Sequence, residues 1–324
     1  MSSPDELARD LAKFARPCTS GEIATTLLDL LRKAQCIGSP DNPEPLHLFV
    51  TAGGVAALAR ALKANTPVAA DWAEGAAPVV DLSDVLKEAS GVLNNLAAAA
   101  LAGDDEIVKA LHEAAVVPVL VATVDAYATR PEVLHRVLPA LAQLTSLVAD
   151  QVAASDGAIR VIVRAMATSE DSDAWVHCSA ARVLNLMLQR GDAAKHVLLH
   201  EGALGATMRA LNASADEAKL PKGYGFSSEQ LRQKLVAMGA PLVRELSVLA
   251  DETYAPGVKG TLKGLAARSD LNGAEATVQR PTGAAEADLL KRKGRVKVQA
   301  RGECLAVRYA NLVLLGACSP APVS

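Results

Sequence analysis

Two short patterns return along this chain at nearly the same interval, and that interval restricts the fold more than any other feature. The first is an Asn-Leu pair closing a helix of small residues: Gly91-Val92-Leu93-Asn94-Asn95-Leu96, Ala181-Arg182-Val183-Leu184-Asn185-Leu186 and Val307-Arg308-Tyr309-Ala310-Asn311-Leu312. Asn95 and Asn185 lie 90 residues apart, two steps of 45, and Asn185 and Asn311 lie 126 apart, three steps of 42. Cys178 and Cys304 repeat the second interval, and Pro139-Ala140-Leu141-Ala142-Gln143-Leu144 supplies an intermediate copy with Gln143 in the place of Asn. The second pattern is a short apolar segment opened by Gly or Ala, at Gly53-Gly54-Val55, Ala114-Ala115-Val116, Gly157-Ala158-Ile159, Gly202-Ala203-Leu204 and Gly239-Ala240-Pro241. Val116, Ile159 and Leu204 follow one another at 43 and 45 residues. A unit of two or three short helices cannot bury its apolar face alone, so it must stack on its neighbours.

Composition agrees with helices packed closely. Of 324 residues, 63 are Ala and only 3% are aromatic, whereas sheets draw on Val, Ile, Thr and aromatic side chains. Apolar periodicity predicts helices over 82–101, 104–111, 131–151, 157–166, 174–189, 192–200, 203–211 and 229–249, with a last one over 296–315. The organisation this implies is capping helices and a loop over 1–45, then repeats over 46–250 with an insertion at 66–78. An irregular, partly mobile segment over 251–294, a C-terminal repeat helix over 295–318 and a tail over 319–324 complete it.

On these motifs the chain resembles the armadillo-repeat family, and HEAT-like solenoids share the period. The resemblance implies an all-α fold, a right-handed armadillo-like α-solenoid superhelix of stacked two- and three-helix repeats. It places the Asn-Leu segments at the end of a second helix and the Gly-Ala openings at the sharp turn into a third, longest helix. The third helices would line a concave surface binding extended peptides or partner proteins. Peptide-binding members often carry Trp four residues before the groove Asn. Here those positions are Gly91, Ala181 and Val307, with Pro139 before Gln143, so recognition of basic localisation signals is not expected.

The candidate partner-binding residues are therefore Asn95, Gln143, Asn185 and Asn311, which either contact a partner or clamp adjacent repeat backbone. Trp72, in the insertion, is either an anchor for a partner or a cover for an apolar seam. Lys291, Arg292, Lys293, Arg295 and Lys297 place five cations in seven residues, and Arg280, Arg301 and Arg308 extend the bias. Such a run suits a solvated surface, an acidic protein partner such as tubulin or a multi-subunit cytoskeletal complex, a localisation signal or a phosphate backbone. Interleaved aromatics for base stacking are lacking, which disfavours nucleic acid.

Nothing assembles into an enzyme. His196 and His200 share a helix face without a third ligand at a persuasive spacing, and His177 and Cys178, as sequence neighbours, point apart. Gly53-Gly54 follows no strand, and a Walker-type lysine is missing. No cofactor, metal, small-molecule substrate or membrane contact is expected. Five scattered Cys and the lack of a leader-like start suggest a reducing, cytoplasmic setting, with cytoskeletal or ciliary locations fitting it. The expected function is a non-catalytic protein–protein interaction scaffold, a structural or adaptor subunit of a larger assembly. The alternative is a regulatory adaptor for a chaperone or small GTPase, or a cargo adaptor.

Overall fold

A computed structural model describes residues 3–15, 21–36, 44–66, 82–155, 157–169, 173–213 and 227–315. Contacts divide the chain into two units, 1–168 and 169–324. The first holds α1 (Pro4–Ala12), α2 (Gly21–Gln35), α3 (Glu44–Thr51), α4 (Gly54–Asn65), α5 (Ser83–Leu101), α6 (Asp105–Glu113), α7 (Val116–Ala126), α8 (Pro131–Ala154) and α9 (Ala158–Thr168). The long helices lie in a row, α2 against α5 and α5 against α8, while α7 packs between α4 and α9. Leu27 and Leu31 of α2, Leu86, Leu93 and Leu96 of α5, and Leu134, Leu138 and Leu141 of α8 are all buried. Ala89, Ala97, Ala99 and Ala100 are buried beside them, and side chains this small let neighbouring helices approach closely. This stacked-helix pattern is armadillo- or HEAT-like.

The Gly-Ala openings are sites of left-handed backbone. Gly53, Ala115, Gly157 and Gly202 have φ of 79°, 48°, 68° and 89°. Each turns the chain sharply between two helices, a conformation that a Cβ disfavours. The helices they open, at 11 or 12 residues, are not the longest. Asn95 and Gln143 sit instead on the long helices, of 19 and 24 residues. The fifth opening makes no turn. Gly239 lies inside a continuous helix, where its missing Cβ leaves room for Thr207 and Leu211.

One described helix, α8, is long and apolar enough to cross a membrane by length and composition. Apolar residues surround this helix because α5 and α7 pack on it. Its backbone departs from helical geometry at Val148.

The second unit begins as stacked helices: α10 (Ala174–Leu188), α11 (Asp192–His200), α12 (Ala203–Ala213) and α13 (Ser228–Thr253), with α13 against the other three. Ser227 and Gln230 close a reciprocal capping box at the start of α13. Beyond it the all-α expectation fails. Residues 259–314 form a five-stranded antiparallel sheet, β1 (Lys259–Leu262), β2 (Glu275–Val278), β3 (Arg295–Ala300), β4 (Glu303–Arg308) and β5 (Leu312–Leu314), in the order β4-β3-β2-β1-β5. Helix α14 (Ala284–Arg292) joins β2 to β3.

The segment expected to be irregular over 251–294 and the repeat helix expected over 295–318 are therefore overturned. Along β3 burial alternates, with Val296, Val298 and Ala300 inward and Arg295 and Gln299 exposed, which is a strand period of two. Arg301 and Gly302, with φ of 48° and 85°, form a two-residue hairpin turn between Ala300 and its partner Glu303. Two successive left-handed residues match the right-handed twist of the paired strands. Asn311 and Cys304 belong to this sheet region, so their spacing from Asn185 and Cys178 is not a helical repeat.

Replacing Gly202 by Ala should destabilise the protein by about 1–2 kcal/mol, because the new Cβ must adopt left-handed φ. Replacing Ala115 by Gly should be neutral or stabilise by up to about 1 kcal/mol, for the opposite reason. Urea denaturation midpoints of the two variants distinguish these signs.

Candidate functional site

The four expected amide positions divide between the two units, Asn95 and Gln143 in the first and Asn185 and Asn311 in the second. In the first unit, Asn95 donates its side-chain amide to the carbonyl of Gln35, the last residue of α2, at 3.1 Å. Gln143 donates to Asn94 Oδ1 at 3.3 Å. Both bonds run from one long helix to its neighbour, and both are part-buried. In the second unit, Asn185 stands half-buried on α10. Asn311 donates to the carbonyls of Lys263 and Gly264 at 2.8 and 3.2 Å, tying the loop after β1 to the start of β5. Trp72 lies outside the described residues.

The first unit carries a groove of about 690 Å³ along α7, bordered by the ends of α6 and α8. Ala115, Pro118, Ala122 and Ala154 are exposed along it. Arg164 of α9 pairs with Asp125 of α7 at its edge. Gln151 donates to the carbonyl of His112 at 2.6 Å, and among the described residues its own buried side-chain oxygen accepts nothing. The groove thus offers small apolar contacts to whatever enters it.

The basic run lies in the second unit and is held differently from the sequence expectation. Lys291 and Arg292 occupy the last turn of α14, where the helix dipole favours cations. Its packing rests on a close backbone approach: a Cβ at Gly205 of α12 would lie 2.8 Å from the carbonyl oxygen of Arg292 and 2.9 Å from the nitrogen of Gly294. Lys291 pairs with Asp251 at 2.7 Å, Arg292 with Asp288 at 2.5 Å and Lys297 with Glu286 at 3.0 Å. Lys293 and Arg295 are exposed.

Between the end of α13, the end of β2, α14 and the start of β3 lies a cleft of about 300 Å³. Tyr254 and Tyr309 stack beside it with ring centroids 4.7 Å apart, tilted by 30°. Burial pushes the Tyr254 phenol up to about 12, and burial, reinforced by Tyr254 and Asp251, pushes Tyr309 up as well. Arg280, Lys291, Arg295 and Lys297 line the same cleft, with Asp251 as the one acidic residue among them.

Glu286 reaches back over the first turn of α14. It accepts from the Thr282 backbone N–H at 2.5 Å and hydroxyl at 2.7 Å, and it pairs with Lys297. The Thr282 donors, then Lys297, hold its carboxyl down to about 2. The sequence reading singled out Arg280 but not Tyr254, Tyr309, Asp251 or Glu286. The sparse aromatics were a usable signal, since the sequence has only four Tyr.

Among the described residues, no three His, Cys, Asp or Glu side chains gather as a metal-holding group. His177 is buried, and burial raises the neighbouring Cys178 thiol pKa, which keeps it protonated.

No protein-family profile and no curated protein matches the chain. Among solved structures, it is similar to a designed armadillo repeat protein in complex with the peptide (KR)4. That likeness has 20% identity and a TM-score of 0.47, and it covers 78% of this chain and 95% of the other. An engineered protein solved by a structural-genomics consortium is similar at 20% identity and a TM-score of 0.47, over 78% of this chain and 98% of its own. Within each unit, the helical-repeat fold rests on the stacking of the long helices themselves.

Two measurements check these arrangements. Replacing Asn95 by Ala removes the bond to Gln35 and should cost about 0.5–1.5 kcal/mol in urea denaturation. Because Glu286 is depressed when folded, its contribution is present above its unfolded pKa of about 4.3 and is lost as pH falls towards 2. Glu286→Gln should therefore flatten the acid limb of the melting temperature between about pH 4.3 and 2.

Proposed function

We propose that this chain is a non-catalytic protein–protein interaction scaffold, a structural or adaptor subunit of a larger assembly. Its helices exist by stacking, and rigid rows of helices display side chains in fixed register. The observation that carries the reading is the groove along α7. There Pro118 and Ala122 are exposed on a helix whose other face is fully packed. No described constellation of ligands or nucleophiles competes with this reading, and the small-residue lining suits a main chain that approaches closely.

Affinity isolation from the native cell after mild crosslinking tests the proposal, with wild type compared against Ala122→Arg. Ala122 is exposed, so the variant fills the groove without disturbing the core. Stoichiometric neighbours should accompany the wild type, and at least one should be lost from the variant. Identical recovery from both would refute the groove as the docking surface.

A further inference from the structure

The cleft of the second unit remains outside that account. We propose that it binds an acidic segment of a partner protein, one that carries a bulky apolar side chain among its carboxylates. The inference rests on reading the chain as a protein-binding scaffold and adds a second docking site, with its own chemistry, to the groove along α7.

Charge makes the first half of the argument. Four cations line the cleft and one carboxylate, Asp251, opposes them. Asp251 and Glu286 are already engaged with the lysines, at 2.7 Å to Lys291 and 3.0 Å to Lys297. That leaves the two arginines. Arg280 and Arg295 are exposed, and no carboxylate of the described residues pairs with either. Arg295 also stands directly opposite Arg308 in the β3–β4 register, and Arg308 is exposed and likewise unpaired by a described carboxylate. Like charges directly opposite on paired strands destabilise a sheet. A carboxylate from outside would relieve that repulsion, and the planar guanidinium fork suits a carboxylate in two-point contact.

The walls make the second half. Pro256, Val278, Leu290 and Val296 bound the cleft together with the tyrosine pair. A volume of about 300 Å³ is at the lower end of ligand-sized pockets, so it receives an anchoring side chain rather than a large cofactor. The tyrosine rings stack on each other at 4.7 Å, so neither presents both faces to an inserted base. The lysine-bound carboxylates of Asp251 and Glu286 also oppose a densely charged polyphosphate chain. Arginines at the rim around an apolar interior match an acidic peptide with a single hydrophobic anchor.

The test measures fluorescence anisotropy of a short fluorescein-labelled peptide, glutamates around one central leucine, titrated with the full chain. Saturable binding is expected, and it should weaken as salt rises. The double variant Arg280→Glu, Arg295→Glu should weaken it at least about tenfold. Lys263→Glu with Arg209→Glu makes the same change in charge at exposed positions that do not line the cleft and should stay within about twofold. Changing the peptide's leucine to serine should also lower affinity. The proposal is overturned if no binding occurs, if both double variants weaken it alike, if the serine peptide binds equally well, or if an oligonucleotide competes better than the peptide. Ala122→Arg separates the two readings. Peptide binding that survives it supports an independent cleft. Loss of the isolated neighbours only in that variant, with no peptide binding by any form, would leave the groove standing and remove the cleft.

Discussion

Each long helix of this protein has an apolar face that neighbouring helices must cover. In the first unit α5 is covered on one side by α2 and on the other by α8, and its leucines and alanines are buried as a result. Everything else in that unit serves the row. The left-handed residues at Gly53 and Ala115 bend the chain by 68° and 59° between consecutive helices, and Gly157 opens another short helix in the same way. The amides of Asn95 and Gln143 bridge the long helices where polar groups must enter a packed contact, so their bonds hold the spacing of the row. Those amides are committed inward, whereas Pro118 and Ala122 on a shorter helix face out.

The second unit meets the same requirement and then leaves it. Helix α13 covers α10, but its C-terminal turn ends on Tyr254, which stacks against Tyr309 after β4. The sheet is joined to the helices a second time through α14, whose final turn sits against Gly205. These two attachments place the end of α13, α14 and the sheet around one cleft. The basic run therefore acts as structure and as surface at once: Lys291 and Lys297 fasten neighbouring elements, Arg292 pairs within its own helix, and Arg295 faces solvent.

The same local rules that expose the helices in the sequence also explain the misreading beyond residue 295. Val296, Val298 and Ala300 alternate with Arg295, Lys297 and Gln299, and Arg301-Gly302 is a hairpin turn by composition and by φ. The Asn311-Leu312 pair disguised this by matching the spacing of a true helical mark. A dipeptide carries little information, whereas alternation over six residues reports which faces are buried. The candidate site was legible as a cluster of cations but not as a cleft. Asp251 and Tyr254 end α13, Glu286 lies in α14 and Tyr309 follows β4, and each looks ordinary alone.

The sequence by itself determined the helical repeat, because a period of 43–45 residues and abundant Ala leave stacking as the way to bury apolar faces. It also marked the turns at Gly53, Gly157 and Gly202, since glycine accepts left-handed φ at little cost. Only the tertiary structure decided that the amides of Asn95 and Gln143 point between helices, that the C-terminal segment pairs as strands, and which cations stay without a described carboxylate. Those outcomes depend on which side chains meet across long separations in the chain, and local periodicity says nothing about that.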